Sequence, residues 1–229
     1  MSFFEKITDG LKLHEVLMLG FGSLMFLVML VLLVMFAVRK RSLKQLLFYF
    51  GIAVLMLGWP SLQKIKIDGK GVELVTTLEQ YEEKPSEENK KKVEDLVGEL
   101  KNRDVKKPDV VKKIARAEFM IGRSQESLQT IETLPGKEIK DSSINQLKLS
   151  IQVSKALKNQ LHVVQNNAAD SNQIKKLNEL QSKAVNLQIK NTQLDSSIRI
   201  ANQKITEYQH LNPRVDIRRA TTHFVTPDH

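Results

Sequence analysis

The feature that most constrains this chain is an uncharged run of 23 residues, Val16 to Val38. As a helix rising 1.5 Å per residue it is roughly 34 Å long, more than the ~30 Å hydrocarbon core of a bilayer. Arg39, Lys40, Arg41 and Lys44 follow, and Leu46 to Trp59 is apolar again. With Leu43 and Leu62 as edges the second run reaches 20 residues, roughly 30 Å, just enough to span. The two runs read as a transmembrane helical hairpin over residues 1–62. A shallow re-entrant or interfacial helix is the other reading of the second run. The first run exceeds the length of a signal-peptide core, and no small-x-small cleavage site follows it, so it is read as an anchor that stays.

Neither clean apolar run, Val16 to Val38 or Leu46 to Trp59, holds an Asp, Glu, Lys, Arg or His, which argues against a proton relay or a charged ion filter. Gly20, Gly22, Ser23, Gly51 and Gly58 are small enough to let helices approach closely in lipid. Met18, Met25 and Met29 share one helical face, which reads either as a pore lining that gates by dewetting or as ordinary packing. Orientation stays open. The turn carries four basic residues, and the opposite side carries Lys6, Lys12, Lys64, Lys66 and Lys70. Before the first span, Phe3, Phe4, Ile7 and Leu11 recur at helical spacing, so Ser2 to Leu13 reads as an interfacial helix or a frayed tail.

The chain has 229 residues and net charge +9, and from Pro60 onward 29 Lys+Arg face 23 Asp+Glu. That mild, dispersed excess permits attraction to phosphates or anionic lipid without demanding it. The absence of Cys excludes disulfides and thiolate metal sites.

Gly58-Trp59-Pro60 reads as the stop of the second span. In residues 63–76, Ile65 and Ile67 alternate with Lys66, and Val72 and Leu74 flank Glu73, around an Asp68-Gly69 pair. This predicts a short β-hairpin at the membrane edge. From 77 to 165 the period is helical. Ser86 is a candidate N-cap before Val93, Leu96, Val97 and Leu100. Pro108 suits a first turn before Val110, Ile114, Ala117 and Ile121. Gly122 ends that helix, Leu128 and Ile131 mark a third, and Pro135-Gly136 breaks the chain. Ser142 or Ser143 opens a fourth, with Ile144, Leu147, Ile151, Leu157, Leu161 and Val164.

Residues Ala115 to Ile131 resemble the junction between the two helices of a tetratricopeptide repeat. Gly122 matches its turn glycine, Ser127 its small position and Ile131 its large apolar position. Ser124 stands where an aromatic is expected, and the repeat's leading Trp-Leu-Gly pattern is absent. The resemblance covers about 20 residues, within a pair spanning 108–133, and implies an antiparallel helix pair in a protein-binding helical domain. An ordinary helical bundle is the alternative.

After Asn166 to Asn172, rich in turn formers, comes a heptad pattern within 173–211. Leu177, Ala184, Asn191, Ile198 and Ile205 fall at a, and Leu180, Leu187, Leu194, Ala201 and Tyr208 fall at d. Unbroken, it predicts a coiled coil in which Leu180, Leu187, Asn191, Leu194, Ile198 and Ile205 join chains, Asn191 pairing with its copy. An antiparallel partner within the same chain is the other reading. Asn212-Pro213 ends the coil, and a basic tail, 212–229, carries Arg214, Arg218 and Arg219, with Val215 to Arg218 alternating like a short strand.

Signatures of catalysis are missing. His14, His162, His210, His223 and His229 form no i, i+4 pair, and there is no phosphate loop, nucleophile elbow or dinucleotide fingerprint. No enzymatic role, cofactor or metal is expected. Lys106, Lys107, Lys112, Lys113 and Arg116, with the tail arginines, are candidates for an anionic nucleotide, oligonucleotide or lipid headgroup, or simply a solvated face; no aromatics interleave for base stacking. The fold class read is an all-α membrane protein: transmembrane hairpin, edge β-hairpin, helical soluble domain and C-terminal coiled coil. In layout it resembles the small two-span membrane effectors of bacterial anti-phage defence. That resemblance implies a homo-oligomeric, pore-forming protein of the bacterial inner membrane whose cytoplasmic helical domain senses a signal. The other expectation is a membrane-tethered scaffold that holds a partner protein through its helices.

Overall fold

The computed structural model describes residues 8–38, 44–103, 105–166 and 170–212, and every regular element among them is a helix. In chain order these are α1 (Leu13–Val38), α2 (Lys44–Glu83), α3 (Glu87–Asn102), α4 (Pro108–Met120), α5 (Ser124–Glu132), α6 (Gly136–Ile139), α7 (Ser142–Asn166), α8 (Ser171–Val185) and α9 (Thr192–Leu211). Two compact units divide the chain. One is Met1–Gln80 with Glu87–Ile114, the other Tyr81–Ser86 with Ala115–His229. Of the interfacial helix expected over Ser2 to Leu13, residues 2–7 lie outside the described residues, and Asp9 to Lys12 form a non-helical turn with Gly10 at φ 76°. The tail strand expected at Val215 to Arg218 also lies outside the described residues.

In the first unit α1 and α2 run antiparallel. Phe26 and Phe50 meet with ring centroids 5.0 Å apart. A Cβ on Gly22 would stand 3.1 Å from Met56 Cβ, so this glycine sets how closely the helices approach. Gly20, Gly51 and Gly58 face open space, so of the four glycines in the two runs Gly22 alone makes the expected close contact. Both helices are long and apolar enough to cross a membrane, with mean hydropathy 2.8 and 1.6 over their most apolar stretches. Little of either stretch is covered by the chain: 6% and 17% of its residues are buried.

The β-hairpin expected at 63–76 is not there. Helix α2 continues through Pro60 to Glu83, so Pro60 does not stop it either. Ser61 Oγ donates to the Leu57 carbonyl on that turn, at 3.0 Å. The reason lies in a second period within the same residues. Ile67, Gly71, Leu74 and Leu78 recur at helical spacing and are buried, whereas Ile65 and Val72 are exposed. The 2-residue alternation was local; the 3.6-residue period extended further and had a partner surface to bury it. On that side Ile67 lines a cleft with Leu100 of α3, Lys70 pairs with Glu99 of α3, and in the first turn of α4 Val110 Cγ2 would lie 3.5 Å from a Cβ on Gly71. Val93, Leu96, Val97 and Leu100 of α3 are themselves buried. Ser86 stands immediately before α3, as its capping chemistry predicts.

The second unit is a stack of helices. The α4–α5 turn is made at Gly122, whose φ of 91° is left-handed backbone that suits glycine. Buried Ser127 donates from Oγ to the Ala115 carbonyl at 2.7 Å, and Ile131 is fully buried, so the helix pair implied by the repeat resemblance is formed. Helices α7, α8 and α9 make a three-helix bundle around Val153, Leu157, Leu161, Ile174, Leu177 and Leu194.

The continuous coiled coil is also corrected. The heptad stretch breaks at residues 186–191 and folds back as the α8–α9 hairpin. Leu194 and Ile205 are buried in this chain's own core, and Leu180, Leu187 and Ile198 pack against it half-buried. Asn191 caps α9 instead of meeting a copy of itself: its Oδ1 accepts from Leu194 N at 2.8 Å, and its Nδ2 donates to the Phe119 carbonyl at 2.6 Å. The reading left open by the sequence, an antiparallel partner within the chain, is the one the fold adopts.

Candidate binding clefts

The first unit has a cleft of about 350 Å³ where the start of α1, the middle of α2 and the end of α3 converge. Gln63, Lys66, Ile67 and Lys70 reach it from α2 because i, i+3, i+4 and i+7 lie on one helical face. Lys12 comes from the turn before α1, and Glu99, Leu100, Asn102 and Arg103 come from the end of α3 and just beyond. Lys70 is ion-paired with Glu99. Arg103 Nη1 donates to both oxygens of Glu15, at 2.9 and 3.0 Å, and the Glu15 carboxylate also accepts from Lys12 N at 2.8 Å. With Glu15 only 3% exposed, this buried carboxylate has a charge partner and a backbone donor. The ammonium groups of Lys12 and Lys66 have no ion-pair or hydrogen-bond partner among the described residues.

A second set of contacts sits beside this cleft. Asp9 accepts from Lys106 N and Lys107 N, at 2.5 and 2.9 Å, just before α4 begins, and Lys64 Nζ donates to the Asp9 carbonyl at 2.8 Å. Asp9 thus supplies, from elsewhere in sequence, the anion that a helix start favours. Gly10 makes the tight turn with φ 76° against Ile67 and Val105.

The second unit has a cleft of about 290 Å³, bounded by the end of α2, by α4 and by the 186–191 turn. Met120, Leu187 and Ile189 give it apolar lining, with Tyr81 at one side. Glu82, Arg116, Lys190 and Asp195 add mixed charge. Arg116 Nη2 donates to Glu82 Oε1 at 2.8 Å, and Lys190 Nζ to the Val185 carbonyl at the end of α8. Elsewhere in the second unit, Thr130 Oγ1 donates to the fully buried Glu118 at 2.6 Å.

The expected anion-binding residues fall in different places. Lys106, Lys107, Lys112 and Lys113 belong to the first unit and Arg116 to the second. Lys107 Nζ lies 3.4 Å from Asp68, Lys106 uses its backbone N–H on Asp9, and Arg116 is paired with Glu82. Arg214, Arg218 and Arg219 lie outside the described residues. Met18, Met25 and Met29 are half-buried on the same face of α1 as Gly22, the face turned to α2. Sequence reasoning missed the Lys12–Lys66–Arg103 cleft. The signal was the i, i+3, i+7 set Gln63, Lys66 and Lys70, visible only once 63–76 is read as helix.

Compared with protein-family models, curated proteins and solved structures, the chain matches none.

Proposed function

We propose that this protein is a membrane-tethered binding protein: the α1–α2 hairpin anchors it in a bilayer, and the second unit holds a segment of a partner protein in the cleft beside the 186–191 turn. The observation that carries the reading is the uneven treatment of apolar surface. Leu17, Phe21, Leu24, Leu27 and Val31 of α1, and Leu47, Phe48 and Leu55 of α2, are exposed. The apolar faces of α7, α8 and α9 are closed on one another. A core helix of a water-soluble protein is covered by its neighbours; the apolar stretches of these two are largely bare, as helices in lipid are. The second unit supports binding because its cleft joins Met120, Leu187 and Ile189 to a charged rim, the mixture used to dock a peptide with both grip and register. The heptad, turned inward, no longer supplies a device for gathering copies, so the pore reading rests on the uncharged spans alone.

The test places a photo-cross-linking residue at Gln188 of the full chain in its host membrane. One partner captured there, and lost on Leu187→Asp, supports the proposal. Depolarisation of the membrane on expression, unchanged by Leu187→Asp and without capture, overturns it in favour of a pore.

A further inference from the structure

We infer that the basic cleft of the first unit is a binding site for the phosphate of an anionic lipid headgroup. The inference rests on the anchoring of α1 and α2 in a bilayer and adds a specific ligand to it. Depth is the first argument. Lys66 follows the last residue of the apolar run, Leu62, by four positions, roughly 6 Å along the helix. Lys12 precedes Val16, the first residue of the other run, by the same distance. The headgroup layer on each side of a bilayer is roughly 5–8 Å thick. Both lysines therefore stand at the level of lipid phosphates, and the cleft opens there.

Charge is the second argument. Lys70 is neutralised by Glu99 and Arg103 by Glu15, whereas Lys12 and Lys66 have no partner among the described residues. Two ammonium groups lining one cleft, neither paired among the described residues, repel each other, and an anion between them relieves that repulsion. The amides of Gln63 and Asn102 add neutral donors to the same cleft, suited to phosphate oxygens. The apolar residues Ile67 and Leu100 complete the lining. A nucleic-acid site would need a longer basic track and stacking aromatics; the cleft has neither in its lining.

Trp59, the only tryptophan in the chain, provides the probe. It is exposed, and it lies seven residues before Lys66, on the same face of α2 two turns deeper in the apolar stretch. The full chain is reconstituted in phosphatidylcholine vesicles containing a tenth of either brominated phosphatidylglycerol or brominated phosphatidylcholine, and Trp59 quenching is compared. Each unpaired lysine near a charged surface shifts lipid partition roughly fivefold. The expected result is at least fivefold local enrichment of the anionic lipid, lost in Lys12→Gln/Lys66→Gln and kept in Lys91→Gln, which removes an exposed charge elsewhere. Equal quenching by the two lipids, or enrichment that survives the double substitution, overturns the site. Enrichment abolished by millimolar inorganic phosphate reassigns the cleft to a free anion and also overturns the lipid assignment. No quenching by either lipid would instead show that Trp59 is not in a bilayer, which removes the anchor itself.

Discussion

Asn191 decides between two accounts of the C-terminal helices, and substituting it separates them. In a coiled coil, an Asn at an a position costs stability in exchange for register, so Asn191→Leu would raise the melting temperature. In this structure the side chain joins two helix ends. It caps α9 through Leu194 N, worth about 1 kcal/mol. Its amide also satisfies the Phe119 carbonyl at the end of α4, which keeps one other donor, Gly122 N at 3.0 Å. Losing one of two donors costs that carbonyl about 1 kcal/mol rather than a full desolvation penalty. Asn191 is 2% exposed, so a leucine must also fit a niche shaped for an amide, adding roughly another 1 kcal/mol. Asn191→Leu is therefore expected to destabilise by about 2–3 kcal/mol, a fall of roughly 10 °C for a body of this size. Asn191→Ser keeps a capping oxygen and loses only the bridge, and should fall by about half as much. Circular dichroism melts of the detergent-solubilised full chain read both. A variant Asn191→Leu that melts at or above the parent temperature refutes the cap and restores the coil.

Three further outcomes follow from the same structure. Gly122→Ala should lose about 1–2 kcal/mol in the same melts, because alanine is strained at φ 91° and its Cβ displaces the Gln193 amide; an unchanged melt would mean the α4–α5 turn has another shape. Gly22→Ile should destabilise by about 1–2 kcal/mol by driving α1 off Met56, whereas Gly58→Ile, with no atom within reach of its Cβ, should be neutral; equal effects would contradict the seam. Arg103→Met should cost about 2 kcal/mol, since it strands the buried Glu15 carboxylate, and adding Glu15→Gln should recover part of the loss; strictly additive effects in the double-mutant cycle would show that the pair does not interact.

Long periodic stretches were the legible part of this fold. The α1 apolar run, the α3 face at Val93, Leu96, Val97 and Leu100, and the α7 face from Ile144 to Val164 could be read directly, because each buries one stripe and repeats it over several turns. The Gly122 turn was legible as well, since few residues other than glycine take its backbone conformation without strain. Residues 63–76 were not. Ile65, Ile67, Val72 and Leu74 alternate over short distances, and Asp68-Gly69 is a strong hairpin signal; only the partner surface of α3 and α4 tells which of the four is buried. The basic cleft was hidden for the same reason, compounded by distance. Lys12, Lys66 and Arg103 lie far apart in sequence, and nothing in their local context announces that they meet.

The heptad carries the more general lesson. A repeat of apolar residues every seven positions states that a helix has one buried stripe; it does not state what covers the stripe. Here the choice is made by six residues, Asn186 to Asn191. Helix α8 ends at Val185, the backbone turns, and Asn191 opens α9 with a side chain suited to starting a helix. Once the chain reverses, Ala184 and Ala201 cease to be weak points in an intermolecular core. Both are fully buried, and small side chains let the α8–α9 pair and α7 close around one shared interior. The same asparagine that a continuous helix would have had to bury at a cost is, at a helix start, paired through both its oxygen and its nitrogen. Polar satisfaction at position 191 therefore favours the folded-back hairpin over the extended zipper.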